Sequence, residues 1–124
     1  MGKKGRDTGL DNLLELDGQI LIIDPNGKHW VKFTVTRIDP GKEKPHGIDY
    51  SLTLHDASGK RLIGFDNAHP VRPTKGPGGK KRQTQDHRHR FNRTYPYEFT
   101  DCEQLLEDFW AEVEFALKKL GVKI

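Results

Sequence analysis

The sequence predicts an α+β fold in which a four-stranded antiparallel β-meander packs against a C-terminal α-helix. Four runs rich in β-branched and aromatic residues, which strands favour, lie at 19–24, 29–38, 48–55 and 61–66. The connections between them are short, and parallel neighbours would need long crossovers, so the strands are expected to pair antiparallel. Apolar residues then recur at helical spacing between 100 and 120.

Length and composition limit the class of protein. At 124 residues, of which 33% are hydrophobic and 31% charged, the chain is expected to form one domain with a thin core. The lone cysteine, Cys102, excludes an internal disulfide and a cysteine-based zinc site, and it fits a reducing compartment. No apolar run approaches the roughly 20 residues needed to span a bilayer. We therefore expect a soluble, cytoplasmic protein with no membrane association.

The first half of the chain supplies the N-terminal helix and the first strands. Residues 1–9 are expected to be a flexible tail, and residues 10–16 to form one or two helical turns. The strand at 19–24 ends in the turn sequence "PNGK". Both longer strands alternate with a period of two, which predicts a buried face made of Val31, Phe33, Val35, Ile48, Tyr50, Leu52 and Leu54. The tight connection "DASGK" leads into the fourth strand.

The C-terminal helix has the clearest signals. Thr100 and Glu103 have the spacing of a capping box, and Gly121 is expected to end the helix after two lysines in its last turn. The helix is expected to run from about Thr100 to Leu120. Four of its apolar residues are expected to be buried on the sheet: Leu106, Phe109, Val113 and Leu117.

Basic residues concentrate in the third quarter of the chain. Residues 71–85 are rich in Gly, Pro and Lys and are expected to form a flexible loop. Such a loop is either simply solvated or an electrostatic footprint for a phosphate backbone, since each lysine or arginine can displace a counterion. The candidate RNA- or phosphate-binding residues are Lys75, Lys80, Lys81, Arg82 and Arg93.

Two short polar segments carry the candidate chemistry. In "FDNAHP", Asp66, Asn67 and His69 stand where the fourth strand ends, and ordinary turn chemistry also explains them. In "DHRHR", an extended backbone would place His87 and His89 on one face and the two arginines on the other. A basic, solvated strand edge is the alternative for this second segment.

A metal site is one interpretation of these histidines. Its ligands would be His69, His87 and His89, completed by Asp66 or Asp86, a set that suits zinc, nickel or iron. The neighbouring arginines oppose it, because they would crowd positive charge around a cation.

Metal-free cleavage of RNA is the other interpretation. It needs a base for the 2′-hydroxyl, an acid for the leaving 5′-oxygen and a cation for the charged phosphorane. Histidines titrate near neutral pH, arginines match phosphate geometry, and a carboxylate orients an imidazole. The candidate catalytic residues are Asp66, His69, His87, His89, Arg88 and Arg90, with no metal ligand and no cofactor assigned.

At "FDNAHP", "DHRHR" and "LLEDFWAEVE" the chain resembles the TumE-type toxin family of bacterial and archaeal toxin–antitoxin systems. The resemblance covers about residues 18–120. Asp66, Asn67 and His69 match the family's first motif, and His87 and His89 match its second. The resemblance implies a growth-inhibiting toxin with RNA as its target and a cognate antitoxin, often a helix-turn-helix protein, as its partner.

Two classes of function follow. The first is a toxin that acts as a metal-independent endoribonuclease and binds RNA and its antitoxin, with a homo-oligomer left open. The second is a non-catalytic basic module that binds nucleic acid or a partner protein. A His/Asp metal-dependent nuclease stays open as a variant of the first class.

Overall fold

The computed structural model describes residues 8–39, 47–67 and 86–122, which form two helices and one six-stranded sheet. The helices are α1 (Thr8–Glu15) and α2 (Cys102–Lys119). The strands are β1 (Ile20–Ile22), β2 (Trp30–Arg37), β3 (Ile48–His55), β4 (Arg61–Asp66), β5 (His87–Arg90) and β6 (Arg93–Pro96). They lie in chain order, and each pairs antiparallel with the next. The α+β class is confirmed.

The prediction of four strands was wrong, because β5 and β6 extend the meander into a six-stranded sheet. The side chains of β5 are only partly buried and those of β6 are mostly exposed. The hairpin therefore lacks the alternation of apolar and polar residues that identifies a half-buried strand in a sequence. Its tight turn holds Phe91 at a φ of 53°, which a non-glycine residue seldom adopts. No sequence signal for that turn exists, because Asn-Gly and similar pairs are absent from it.

Helix α2 packs on one face of the sheet, as predicted. Phe109 is fully buried, with its ring centroid 5.7 Å from that of Phe33 and 6.0 Å from that of Phe65. Val113 and Leu117 are buried as expected, whereas Leu106 is only partly buried at the margin of the core.

The ends of α2 follow the expected chemistry, but its start is one residue later than the capping box predicted. Asp101 is the N-cap, and its carboxylate accepts a hydrogen bond from the Gln104 N–H at 2.8 Å. The prediction that Gly121 ends the helix is confirmed: it follows the C-cap at a φ of 76°, a left-handed conformation that glycine adopts without strain.

Helix α1 packs against α2 and buries Leu13. It begins at Thr8, so Thr8 and Gly9 are helical rather than part of the expected tail. A Cβ on Gly9 would lie 2.5 Å from the backbone nitrogen of Glu103, so only glycine allows the two helices to approach this closely.

The sheet has one covered face and one face that neither helix covers. Residues such as Val31, Phe33, Tyr50 and Phe65 form the covered face and join the helices in the core. The strand registers place a polar and aromatic set on the other side, hereafter the open face: Trp30, Lys32, Ser51, Thr53, His55, Arg61, Asp66, His87, His89 and Thr94. Neither helix is long and apolar enough to cross a membrane.

Candidate active site

The candidate site lies on the open face, where β4 and β5 pair. His89 is opposite Gly64, and Asp66 is opposite His87, so alternation brings the carboxylate and both imidazoles to the same side. Nε2 of His89 lies 3.0 Å from Oδ2 of Asp66. The two side chains are 16% and 12% exposed, which shields this contact from bulk water yet leaves it reachable.

The second ring nitrogen of His89 meets a hydroxyl group. Nδ1 lies 3.2 Å from Oγ1 of Thr94, the residue opposite His89 on β6. Because an ionised carboxylate only accepts hydrogen bonds, Nε2 carries the proton that is shared with Asp66. In the neutral ring, Nδ1 is then the acceptor and faces the Thr94 hydroxyl. The three groups form a carboxylate–imidazole–hydroxyl chain.

The surroundings of His89 keep its imidazole neutral near pH 7. Burial lowers the pKa of His89 below its ordinary value, and the positive charge of Arg61 lowers it further. Asp66 opposes both effects, but the net direction is downward. A neutral imidazole with an oriented tautomer is the form that a general base requires.

His87 is in a different state from His89. Its ring centroid lies 6.4 Å from that of His89 on the same face of β5. Among the described residues no hydrogen bond holds its imidazole, and it is only partly buried. Within the described residues, the site thus contains one imidazole that two hydrogen bonds hold and a second, partly exposed imidazole beside it.

Arg61 is the cation of this face that lies beside His89, and the sequence prediction missed it. A Cβ on Gly64 would lie 3.1 Å from Cδ of Arg61 and 3.5 Å from Cδ2 of His89, so both side chains close over the bare backbone of Gly64. A glycine inside a strand often marks such a close approach, and this signal was available in "RLIGFD".

Arg88 and Arg90, predicted to bind the reacting phosphate, are not brought together with the histidines. Both point to the covered face, where Glu112 of α2 accepts two hydrogen bonds from Arg90, at 2.9 and 2.8 Å. Nη1 of Arg88 lies 3.6 Å from the same carboxylate. The guanidinium group of Arg88 lies over the Tyr95 ring, and that of Arg90 lies over the Phe115 ring. Strand alternation separates them from the imidazoles, and they tie β5 to α2.

Asn67 and Asp86 hold the site in place from the covered side. The Asn67 side chain accepts the Tyr50 N–H at 2.9 Å and donates to the Ile48 carbonyl at 2.9 Å. Asp86 is buried and accepts the Tyr50 hydroxyl at 2.7 Å. Burial and this carboxylate both raise the pKa of Tyr50. Asp86 therefore fixes the start of β5 and does not share the open face with Asp66.

The sequence model of a family described as Toxin TumE matches residues 21–117. The protein belongs to the TumE toxin family. The match extends from β1 into α2 and includes both segments of the candidate site. Comparison with curated proteins and with solved structures gives no match.

Membership of this family confirms the resemblance to TumE-type toxins and the general role that the resemblance implies. The protein is a toxin of the toxin–antitoxin kind, and an antitoxin is its implied partner. The family match assigns no chemistry to individual residues, so the roles of the open-face side chains rest on their geometry.

Several predicted site residues of this TumE toxin lie outside the described part of the chain: His69, Lys75, Lys80, Lys81 and Arg82. Arg93 is described and is exposed on β6, opposite Arg90. Within residues 8–39, 47–67 and 86–122, no three His, Cys, Asp or Glu side chains are arranged to hold a metal ion.

Proposed function

We propose that this toxin acts in the cytoplasm as a metal-independent endoribonuclease, with His89 as general base and His87 as general acid. One observation carries the proposal: Nε2 of His89 is held by Asp66, and Nδ1 faces a hydroxyl group. A base that removes a proton from a ribose 2′-hydroxyl needs this arrangement, since the carboxylate stabilises the imidazolium as it forms.

His89 and His87 account for both proton transfers in the cleavage of RNA by its own 2′-hydroxyl. In the complex with RNA, the Thr94 side chain rotates away and the 2′-hydroxyl replaces its hydroxyl as the partner of Nδ1 of His89, which takes the proton of the 2′-hydroxyl. The 2′-oxygen then attacks phosphorus, and the bond to the 5′-oxygen breaks. His87, entering as an imidazolium, protonates the leaving oxygen. The products are a 2′,3′-cyclic phosphate and a 5′-hydroxyl. His89 then releases its proton to solvent, and His87 takes up one proton from solvent.

Arg61 supplies the charge that stabilises the phosphorane in this proposal. It shares the open face with both imidazoles, whereas Arg88 and Arg90 neutralise Glu112 on the covered face. A guanidinium group matches the forked geometry of phosphate oxygens. The proposal also includes His69 as a further imidazole. The basic residues in 71–85 are proposed to contact the RNA backbone.

Growth inhibition in bacteria tests the proposal. Induced wild-type toxin should stop growth, and co-expression of the neighbouring antitoxin gene, which we expect to encode a helix-turn-helix protein, should restore it. His87→Ala and His89→Ala should each abolish the inhibition. His29→Ala is the matched control, because this histidine pairs with Asp24 in the β1–β2 turn. Full inhibition by the His87/His89 double variant would instead indicate a non-catalytic module.

A further inference from the structure

A second feature of the open face is an aromatic stack that the catalytic proposal does not use. Trp30 and His55 lie opposite each other on β2 and β3, with ring centroids 4.2 Å apart and ring planes at 11°. Both rings are partly exposed. An aromatic pair of this kind offers a flat surface on which a nucleic-acid base can stack.

His55 is fixed as part of this surface. Its Nδ1 lies 3.1 Å from the Gly59 carbonyl oxygen, and its Nε2 lies 2.9 Å from Oγ1 of Thr53. Because a carbonyl only accepts, Nδ1 carries the proton and Nε2 accepts from the hydroxyl. Both ring nitrogens have hydrogen-bond partners, so the His55 ring is held in place as a stacking surface.

The stack is continuous with the candidate active site. His89 is opposite Gly64, and Gly64 is opposite Thr53, which binds the His55 ring. His55 therefore lies two strand spacings of about 4.8 Å each from the catalytic imidazole and about 7 Å along the strands, and Trp30 lies one strand spacing further. These distances suit a base that lies one or two nucleotides from the reacting phosphate.

Cations border the stack on the same face. Lys32 is exposed two residues after Trp30 on β2, and Arg61 is opposite His55 on β4. A flat aromatic surface between two cations complements the base and the phosphates of one nucleotide. Paired bases in a duplex do not expose the ring faces that stacking needs, so this composition favours a single strand.

We propose that Trp30 and His55, bordered by Lys32 and Arg61, form a stacking platform for single-stranded RNA beside the catalytic histidines. This inference rests on the proposed ribonuclease function and names its substrate class. The RNA crosses the strands of the open face, with one base on Trp30 and a phosphate one or two nucleotides further along the chain near His89.

The chain contains two tryptophans, Trp30 and Trp110, which allows a direct test by fluorescence. Trp110 belongs to α2, on the opposite side of the sheet from the open face. Trp110→Phe leaves Trp30 as the reporter, and Trp30→Phe leaves Trp110 as the matched control. The probe is a 2′-O-methyl single-stranded oligonucleotide, which lacks the 2′-hydroxyl and cannot be cleaved. Saturable quenching is expected in the first variant and none in the second.

Affinity gives an independent measurement. Trp30→Ala should weaken binding of the labelled oligonucleotide by about tenfold or more, the size of one lost stacked base. Wild-type protein should bind the matching duplex much more weakly than the single strand. Unchanged Trp30 fluorescence at saturation, unchanged affinity in Trp30→Ala, or no binding at all would each overturn the platform. If Trp30 reports binding but natural RNA is not cleaved, the platform stands and the ribonuclease proposal fails.

Discussion

Nε2 of His89 and Oδ2 of Asp66 lie 3.0 Å apart across the β4–β5 pair. Neighbouring strands therefore fix the tautomer of His89, and this pairing requires β5, a strand with no buried apolar residue. The next side chains along the same strand, Arg88 and Arg90, bind Glu112 on the other side of the sheet. One four-residue strand thus presents acid/base chemistry on one face and attaches to the helix on the other.

Asp66→Asn tests whether the Asp66 carboxylate raises the pKa of His89. Asp66 raises the pKa of His89 by its charge and by its hydrogen bond, so its neutral isostere should lower that pKa further. The cleavage rate should also fall, because the imidazolium loses its counter-charge. Titration of the His89 ring proton by NMR measures the first effect, and Asp49→Asn on β3 is the control. An unchanged His89 titration would show that the contact is absent in solution.

The dependence of stability on pH tests the environment of His89. Its pKa in the folded state is lowered from about 6.5, so below that pH the unfolded chain binds the proton first. The free energy of unfolding should therefore fall as pH decreases from about 6.5 to the lowered folded pKa. Urea denaturation between pH 8 and pH 5 should show a flatter curve for His89→Gln than for wild type. Parallel curves would mean that His89 titrates normally.

Much of the fold was predictable because its core elements have strong periodicity. Alternating residues such as Phe33 and Leu52 identified the central strands, and Phe109 with its helical neighbours identified α2. The β5–β6 hairpin was not predictable, since β5 alternates between histidine and arginine, β6 is mostly exposed, and the turn depends on an unusual φ at Phe91. Such a hairpin is defined by tertiary pairing rather than by local pattern.

The shared face of His87 and His89 was predictable from the sequence, but the cation beside them was not. The spacing of His87 and His89 predicted that both share one face, and the register with Asp66 agrees. The same spacing put Arg88 and Arg90 on the other face, where they meet Glu112, a partner that only the helix packing identifies. Arg61 reaches the site because Gly64 lacks a side chain; the glycine in "RLIGFD" indicates a close approach, but only the strand pairing identifies His89 as the residue opposite it.

Glu112→Gln tests the attachment of β5 to α2. The change removes the charge that neutralises two guanidinium groups, and Nε of Arg88 already has no hydrogen-bond partner among the described residues. We expect a loss of about 2 kcal/mol in the free energy of unfolding, measured with chemical denaturant. Glu114→Gln, an exposed change on the same helix, should cost less than about 0.5 kcal/mol. Equal effects would rule out a structural role for the Arg–Glu contacts.

Gly64→Ala tests the position of Arg61. The new methyl group would lie 3.1 Å from Cδ of Arg61, so this flexible side chain must shift by a few tenths of an ångström. We expect slower RNA cleavage with little change in melting temperature. In an Arg61→Ala background, the same substitution should have little further effect, because the displaced group is already gone. Additive losses in the double variant would place the effect of Gly64 elsewhere.

The chemical ends of cleaved RNA test the central claim most directly. Purified toxin should cut single-stranded RNA in the presence of EDTA and leave 2′,3′-cyclic phosphate and 5′-hydroxyl ends, with a bell-shaped dependence of rate on pH. His87→Ala and His89→Ala should each abolish these products. The account would be contradicted by 5′-phosphate and 3′-hydroxyl ends whose formation stops with chelator and returns with added zinc or nickel.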